Sequence, residues 1–429
     1  MSPFLPGRFD FQSGDQRGRG AIQVTLFSRL CGLLAALTLL VPLAAAAYPA
    51  PPPDPSHPRS TVPPAVQDLR RKMNDADVNA LTFHEMDKLF TTRTVARSGE
   101  VWRLPREDHP LDFTYVHDGQ RHTPEEFLER TFTNALLVMK DGRIVAEIYR
   151  NNTDERTRFM GWSMTKSVTS ILLGCALQEG RIKSLDDPIT SYLPELKGGG
   201  YEGATIRQIM QMRSGADYEE RYDFANPGIA ARNHERSLVQ NVTRFADMAR
   251  SVKHAHPPGE VWEYKTLDTA VLGWLLERVS GGSTIAAYAA QRLWEPLGAE
   301  RDGFFIMDGP PGDGREFNGA GFNATLRDFA RVGQMMLQDG KANGRQIVSP
   351  EWVRESTRAS GGPGPGYGYQ WWIPNDHAFQ ARGLQGQFIY VDRPSRTVVV
   401  KLSYFPPDNT TADAEAQSFF AAASAWTPK

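Results

Sequence analysis

A serine and a lysine three residues apart, Ser163 and Lys166, stand in "GWSMTKS" immediately ahead of an apolar run. Residues i and i+3 share a helix face, so the amine can reach the hydroxyl when the serine sits in the first turn. A lysine there acts as a base only when neutral, a state that burial in a cleft favours by desolvation. The helix N-terminus adds N–H groups aimed at developing negative charge. Arginine cannot serve as that base, and only 11 of the 48 basic residues are lysines. The spacing alone is weak, since 23 serines and 11 lysines in 429 residues give about 0.6 chance pairs. The plain alternative is a serine that caps a helix.

Two further stretches answer to the first. In "PPGEVWEYKTLDTAVLGWLLERVSG", Tyr264 precedes an apolar helix after a Pro-Pro-Gly turn. It either packs as an aromatic or relays a proton to a leaving group, the latter if positive charge from Lys166 lowers its pKa. In "ARGLQGQFIYVD", Gly386 leads into a strand, where glycine marks a close backbone approach, here by a substrate. The next amide, that of Gln387, then points at an oxyanion.

The elements that must hold these residues are legible. Thr123, Pro124 and Glu126 of "TPEEF" read as N-cap, first helical position and capping-box partner. "ALLVMK" and "RIVAEIY" flank Asp141-Gly142, a type I′ hairpin signal. "MTKSVTSILLGCALQEG" reads as a helix ending at Gly180, followed by helical patterns in "TIRQIMQM", "LDTAVLGWLLERVSG", "TLRDFARVGQMMLQDG" and "SPEWVRESTR". "YGYQWWI", "GQFIYVD" and "TVVVKLSYF" read as strands, with Asp392 to Ser395 joining the last two, and "AEAQSFFAAASAW" as a final helix. This order predicts an α+β fold, an α/β sandwich: an antiparallel sheet built from both chain ends and flanked by helices, with a mostly helical region inserted at about 180–335.

In this order the three stretches resemble the serine β-lactamase and penicillin-binding-protein superfamily, in its class C and esterase branch. "LDDPITSYLPEL", "IRQIMQMRSGADY", "PPGEVWEY" and "YGYQWW" look like that family's connecting motifs. "SMTKS", "YGYQWW" and "GLQGQ" are most similar to the 6-aminohexanoate-dimer hydrolases and related carboxylesterases. The resemblance implies a β-lactamase/DD-peptidase-like fold, Ser163 as acylated nucleophile, Lys166 as its base and Tyr264 as proton shuttle. It implies an oxyanion hole of the Ser163 and Gln387 N–H groups, and a substrate pocket touched by one of Tyr218 and Tyr222, the other packing, and by Thr266, Gln385 and Gly386. Two departures stand out. Thr266 occupies a position where the family carries asparagine or serine, and Leu384-Gln385-Gly386 replaces Lys-Thr-Gly. Without that lysine the charge that holds a β-lactam carboxylate is missing, so esters or uncharged-end amides suit the chain better than β-lactams or D-amino-acid peptides. A non-catalytic exported sensor of the same fold is the alternative from another class.

Composition narrows the partners. Forty per cent hydrophobic residues and a net charge of -2 describe an ordinary globular chain with no pull toward nucleic acid. The run Leu30 to Ala47, preceded by arginines and ending in alanines, reads as an export signal over residues 1–47. The expected location is periplasmic or secreted, with membrane attachment only if that segment is retained. Residues 48–100 read as a proline-rich lead-in and linker, and 101–429 as the hydrolase domain. Cys31 leaves with the signal, and Cys175 remains as a buried thiol without a disulfide partner. His254 and His256 lack a third ligand, so no metal is expected, and no cofactor. The "LDDP" aspartates suit a turn. Of Trp371 and Trp372, strand alternation sends one to the core and the other to the opposite face, where it can line the pocket.

Overall fold

The computed structural model describes residues 59–429. The readings on the export signal, Cys31 and the first prolines of the lead-in lie outside these residues. Asp141 and Gly142 take φ of 48° and 78°, the doubly positive geometry that a type I′ turn demands. They join the first two strands of the sheet that carries the site. In chain order the strands of the two larger sheets are β1 (Thr92–Val95), β2 (Thr133–Lys140), β3 (Arg143–Tyr149), β4 (Arg158–Met160), β5 (Gly303–Ile306), β6 (Phe322–Thr325), β7 (Ala378–Gly383), β8 (Gln387–Asp392) and β9 (Thr397–Ser403).

The main sheet runs β7-β8-β9-β2-β3, antiparallel throughout. Its central partnership, β9 against β2, joins residues more than 250 positions apart, with Thr397 opposite Lys140. The sheet built from both chain ends is therefore present as the sequence predicts. All eight residues of β2 and all seven of β9 are buried, as strands covered on both faces must be.

Four helices frame the site: α1 (Met164–Gln178), α2 (Thr266–Val279), α3 (Leu326–Leu337) and α4 (Ala412–Ala425). Every residue of α1 from Met164 to Ala176 is buried, so it has no solvent face and runs through the interior. The expected capping box at Thr123 forms, with Glu126 closing it, and Ser349 caps the helix beginning at Pro350.

Three expectations need correction. Residues 64–95 are not a linker. Met73, Phe83, Met86, Phe90 and Val95 enter the main core, and β1 pairs with β5. That pairing belongs to a second antiparallel sheet, β1-β5-β6-β4, unforeseen because its strands are three or four residues long and lie far apart in sequence. β5 and β6 also interrupt the region expected to be mostly helical. Finally, "YGYQWWI" is not a strand but a loop with two isolated bridges, Tyr367 to Trp372 and Trp372 to Gln380. Gln370 breaks it, with φ of 64° and a buried side chain that accepts from Thr269 Oγ1 (2.6 Å) and donates to the Met210 carbonyl (2.8 Å).

Candidate active site

Ser163 follows a backbone corner. The Gly161 N–H donates to the Phe322 carbonyl (2.8 Å), and Trp162 takes φ of 47°, a conformation held by its ring packing edge-on against Phe83 at 5.2 Å. Ser163 precedes α1 and already has helical angles, φ −66° and ψ −5°, and its hydroxyl accepts no helix N–H. It is not a cap. Its Oγ instead accepts from Lys166 Nζ at 3.0 Å. Among the described residues, no acceptor takes the Ser163 N–H.

Lys166 is 1% exposed and spends its other donors on Thr266 Oγ1 (3.1 Å) and the Gly319 carbonyl (2.7 Å). Burial lowers its pKa from the usual 10.5 to about 8, with the charge of Glu220 pulling the other way. Glu220 escaped the sequence reading. It accepts both the N–H (2.8 Å) and the hydroxyl (2.5 Å) of Thr266, and the Tyr222 hydroxyl at 2.7 Å. Thr266 thus sits between Lys166 and Glu220 as a hydrogen-bonded bridge. It is 4% exposed, so it supports the amine rather than lining a pocket. Nothing in the local pattern separates Glu220 from Glu219; the contact spans 46 residues.

Tyr264 stands beside this pair, with Lys166 Nζ 4.9 Å from its ring centroid. The expected lowering of its pKa does not occur. Burial pushes the phenol well above its usual value; the neighbouring Ser163 hydroxyl opposes the rise, Glu220 adds to it, and Arg382 opposes it. The amine lies over the ring face rather than against the oxygen, and Tyr264 stays a neutral phenol. Trp372 stacks on it at 5.7 Å and 27°. Trp371 is fully buried and Trp372 half-buried, the expected division, though in a loop rather than on a strand.

The third stretch is arranged differently from the expectation. The N–H and carbonyl of Gln380 both bond to Trp372, so Gln380 faces away from β8. With a period of two, Gly383 and its partner Gln387 form a hydrogen-bonded pair of the ladder, which occupies the Gln387 N–H. Gln387 works through its side chain. Nε2 donates to the carbonyls of Leu384 (3.0 Å), Gln385 (3.2 Å) and Ser403 (2.7 Å), while Oε1 accepts the Ser403 N–H (3.0 Å). It pins the turn between β7 and β8. Gly386, with φ of 93°, makes room for Phe405 and Ser403 behind the turn, where a Cβ would come within 2.8 Å of each. Gln385 also faces inward, donating to the Asn74 (3.0 Å) and Phe405 (2.6 Å) carbonyls.

The glycine at the site is Gly383, where a Cβ would fall 2.3 Å from the Gly161 carbonyl oxygen. The edge strand therefore abuts the backbone just before Ser163. The next N–H, that of Leu384, has no acceptor among the described residues. Of the two candidate tyrosines, Tyr218 is 2% exposed and takes a long 3.4 Å bond from Asn233, a packing role, whereas Tyr222 is 40% exposed and bonded to Glu220. Cys175 is buried and its thiol pushed up to about 12, hence unreactive. No cluster of metal-ligating side chains occurs among the described residues.

A serine and a desolvated lysine at the start of a buried helix, wedged against the edge of an antiparallel sheet, define a serine hydrolase of the β-lactamase and penicillin-binding-protein fold. The chain belongs to the Beta-lactamase family, whose model matches residues 125–423. It is 33% identical over 307 residues to a 6-aminohexanoate-dimer hydrolase of Paenarthrobacter ureafaciens, covering 67% of this chain and 76% of that protein. A solved Bacillus anthracis structure, provisionally described as a 6-aminohexanoate-dimer hydrolase, superposes with a TM-score of 0.74 at 25% identity, over 82% of this chain and 96% of that one. EstCE1, a hydrolase with promiscuous acyltransferase activity, shares the fold at a TM-score of 0.53 and 17% identity, over 67% and 94% of the respective chains.

Proposed function

We propose that this chain cleaves carboxylic ester or amide bonds of small molecules through an acyl-enzyme on Ser163. The observation that carries the reading is the 3.0 Å contact between Ser163 Oγ and a lysine that burial holds near half-deprotonated around pH 8. Neutral Lys166 takes the Ser163 proton as Oγ attacks the carbonyl carbon. The tetrahedral oxyanion is received by the N–H groups of Ser163 and, in place of Gln387, Leu384. Tyr264, a neutral phenol, gives its proton to the leaving oxygen or nitrogen as the acyl-enzyme forms. Water then attacks the acyl carbon and gives a proton to the Tyr264 oxygen, and protonated Lys166 returns its proton to Ser163 Oγ as the acyl–oxygen bond breaks and the acid leaves. Glu220 holds Thr266, and with it the amine, in register.

The test is the initial rate of p-nitrophenyl butyrate hydrolysis by the wild-type chain and its Ser163→Ala variant. Turnover with a transient mass increase of one butyryl group, both lost in the variant, is the expected result. Undiminished turnover in the variant overturns the assignment.

A further inference from the structure

The two amides assigned to the oxyanion each adjoin a non-glycine residue in the left-handed region. Trp162, with φ of 47°, precedes the Ser163 N–H, and Gln385, with φ of 53°, follows the Leu384 N–H. Such conformations persist only where contacts hold them. At both residues the contacts come from one short segment, 73–83, in the stretch expected to be a linker. On the serine side, the Phe83 ring packs edge-on against Trp162 at 5.2 Å, and the Phe83 carbonyl accepts the Met160 N–H at 2.8 Å. On the other side, Gln385 Nε2 donates to the Asn74 carbonyl (3.0 Å) and the Phe405 carbonyl (2.6 Å), and Asn79 Nδ2 reaches the same Phe405 carbonyl at 3.3 Å. Thr82 Oγ1 donates to the Met73 carbonyl at 2.5 Å, which ties the neighbour of Phe83 to the neighbour of Asn74. We propose that residues 73–83 are a clamp that sets the spacing of the two oxyanion donors, with Thr82 and Gln385 as its positioning residues.

The clamp depends on the acyl-enzyme reading above, which supplies the two donors. N–H groups stabilise a tetrahedral oxyanion only when they already point to the place where its charge develops, and a misplacement of about 1 Å costs about a hundredfold in rate. Phe83, Asn79, Thr82 and Gln385 are all at least 96% buried, so they meet no substrate and act on the reaction through the backbone they hold. Lys166 bonds to Ser163, Thr266 and the Gly319 carbonyl and to nothing in the clamp, so loosening the clamp leaves its proton affinity as it was.

The experiment measures the Ki of butane-1-boronic acid beside kcat/KM for p-nitrophenyl butyrate. Ser163 Oγ adds to the boron, its proton passes to Lys166, and the tetrahedral boronate sets an oxygen between the two amides. Its Ki belongs to folded molecules and does not change with the fraction that is folded. Gln385→Met, similar in size but without donors, should raise Ki and lower kcat/KM by the same factor, about tenfold. Thr82→Val, which alters nothing at the site itself, should move both in the same direction by about threefold, the scale of one lost hydrogen bond. The midpoint of the pH profile should stay in place in both variants. A Ki unmoved in both variants, even where kcat/KM falls, reduces the segment to a stabiliser of the fold and overturns the clamp. A shifted midpoint also overturns it, since the substitutions would then act through Lys166. Wild type that turns over the ester without being inhibited by the boronic acid would instead count against the acyl-enzyme reading.

Discussion

Lys166 should appear in two unrelated experiments as the same proton. With a pKa of about 8, it is neutral in about one molecule in eleven at pH 7 and about ten in eleven at pH 9. Because only the neutral amine can accept the Ser163 proton, kcat/KM for a neutral ester should rise about tenfold over that range, with its midpoint near pH 8. The same burial opposes folding. Between pH 8 and 10.5 the unfolded lysine still binds a proton that the folded one has shed, so raising the pH favours the folded state. The gap between 10.5 and about 8 corresponds to about 3 kcal/mol. Lys166→Met removes both effects. Unfolding free energies of wild type and variant should differ by a constant amount below about pH 7.5, then shift in favour of wild type by about 3 kcal/mol as the pH approaches 10.5. Taking the difference cancels every other titrating group. A flat activity profile, or a stability difference that does not move with pH, would refute the reasoning.

Glu220→Gln removes the negative charge that holds the Lys166 pKa up, so the ascending limb of the pH profile should move to lower pH; a limb that stays in place or moves upward would deny the two groups their coupling. Gly383→Ala would set a methyl 2.3 Å from the Gly161 oxygen, and kcat should fall about a hundredfold or more as the edge strand is displaced from Ser163, with circular dichroism reporting whether the fold persists. Tyr218→Phe gives up only a 3.4 Å bond and should leave activity within about twofold, whereas Tyr222→Phe deprives Glu220 of a donor and should cost about tenfold in kcat/KM. Equal effects of the two tyrosine substitutions would show that the first is not merely packing.

Where one short window held all the determinants, the sequence was readable. The capping box at Thr123, the Asp141-Gly142 turn and the buried helix after Ser163 are local patterns whose physics needs no distant partner. Ser163, Lys166 and Tyr264 could be picked out because their residue types limit the chemistry open to them. Glu220 could not, because its significance arises only once the chain folds it onto Thr266. The same holds for Gly383, an unremarked glycine until the Gly161 carbonyl lies beside it. Gln387 was noticed for its backbone, but strand pairing takes that N–H and leaves the amide side chain to brace the turn. The burial of Tyr264 likewise outweighs the nearby amine, a balance of desolvation against charge that spacing does not reveal.

The pairing of β9 with β2 bears on when the molecule becomes active. During synthesis Ser163 and Lys166 emerge long before the sheet can close, because β2 has no neighbour on its inner side until residues 397–403 arrive. Until then the hairpin of β2 and β3 presents an unpaired apolar edge, and Gly383 cannot abut Gly161 to present the Leu384 amide beside the serine. A nascent chain of that length therefore carries the proposed nucleophile without the second amide proposed to serve it. On the proposed mechanism, a chain that ends before residue 397 lacks the strand that ties β8 to β2 and is expected to be inert.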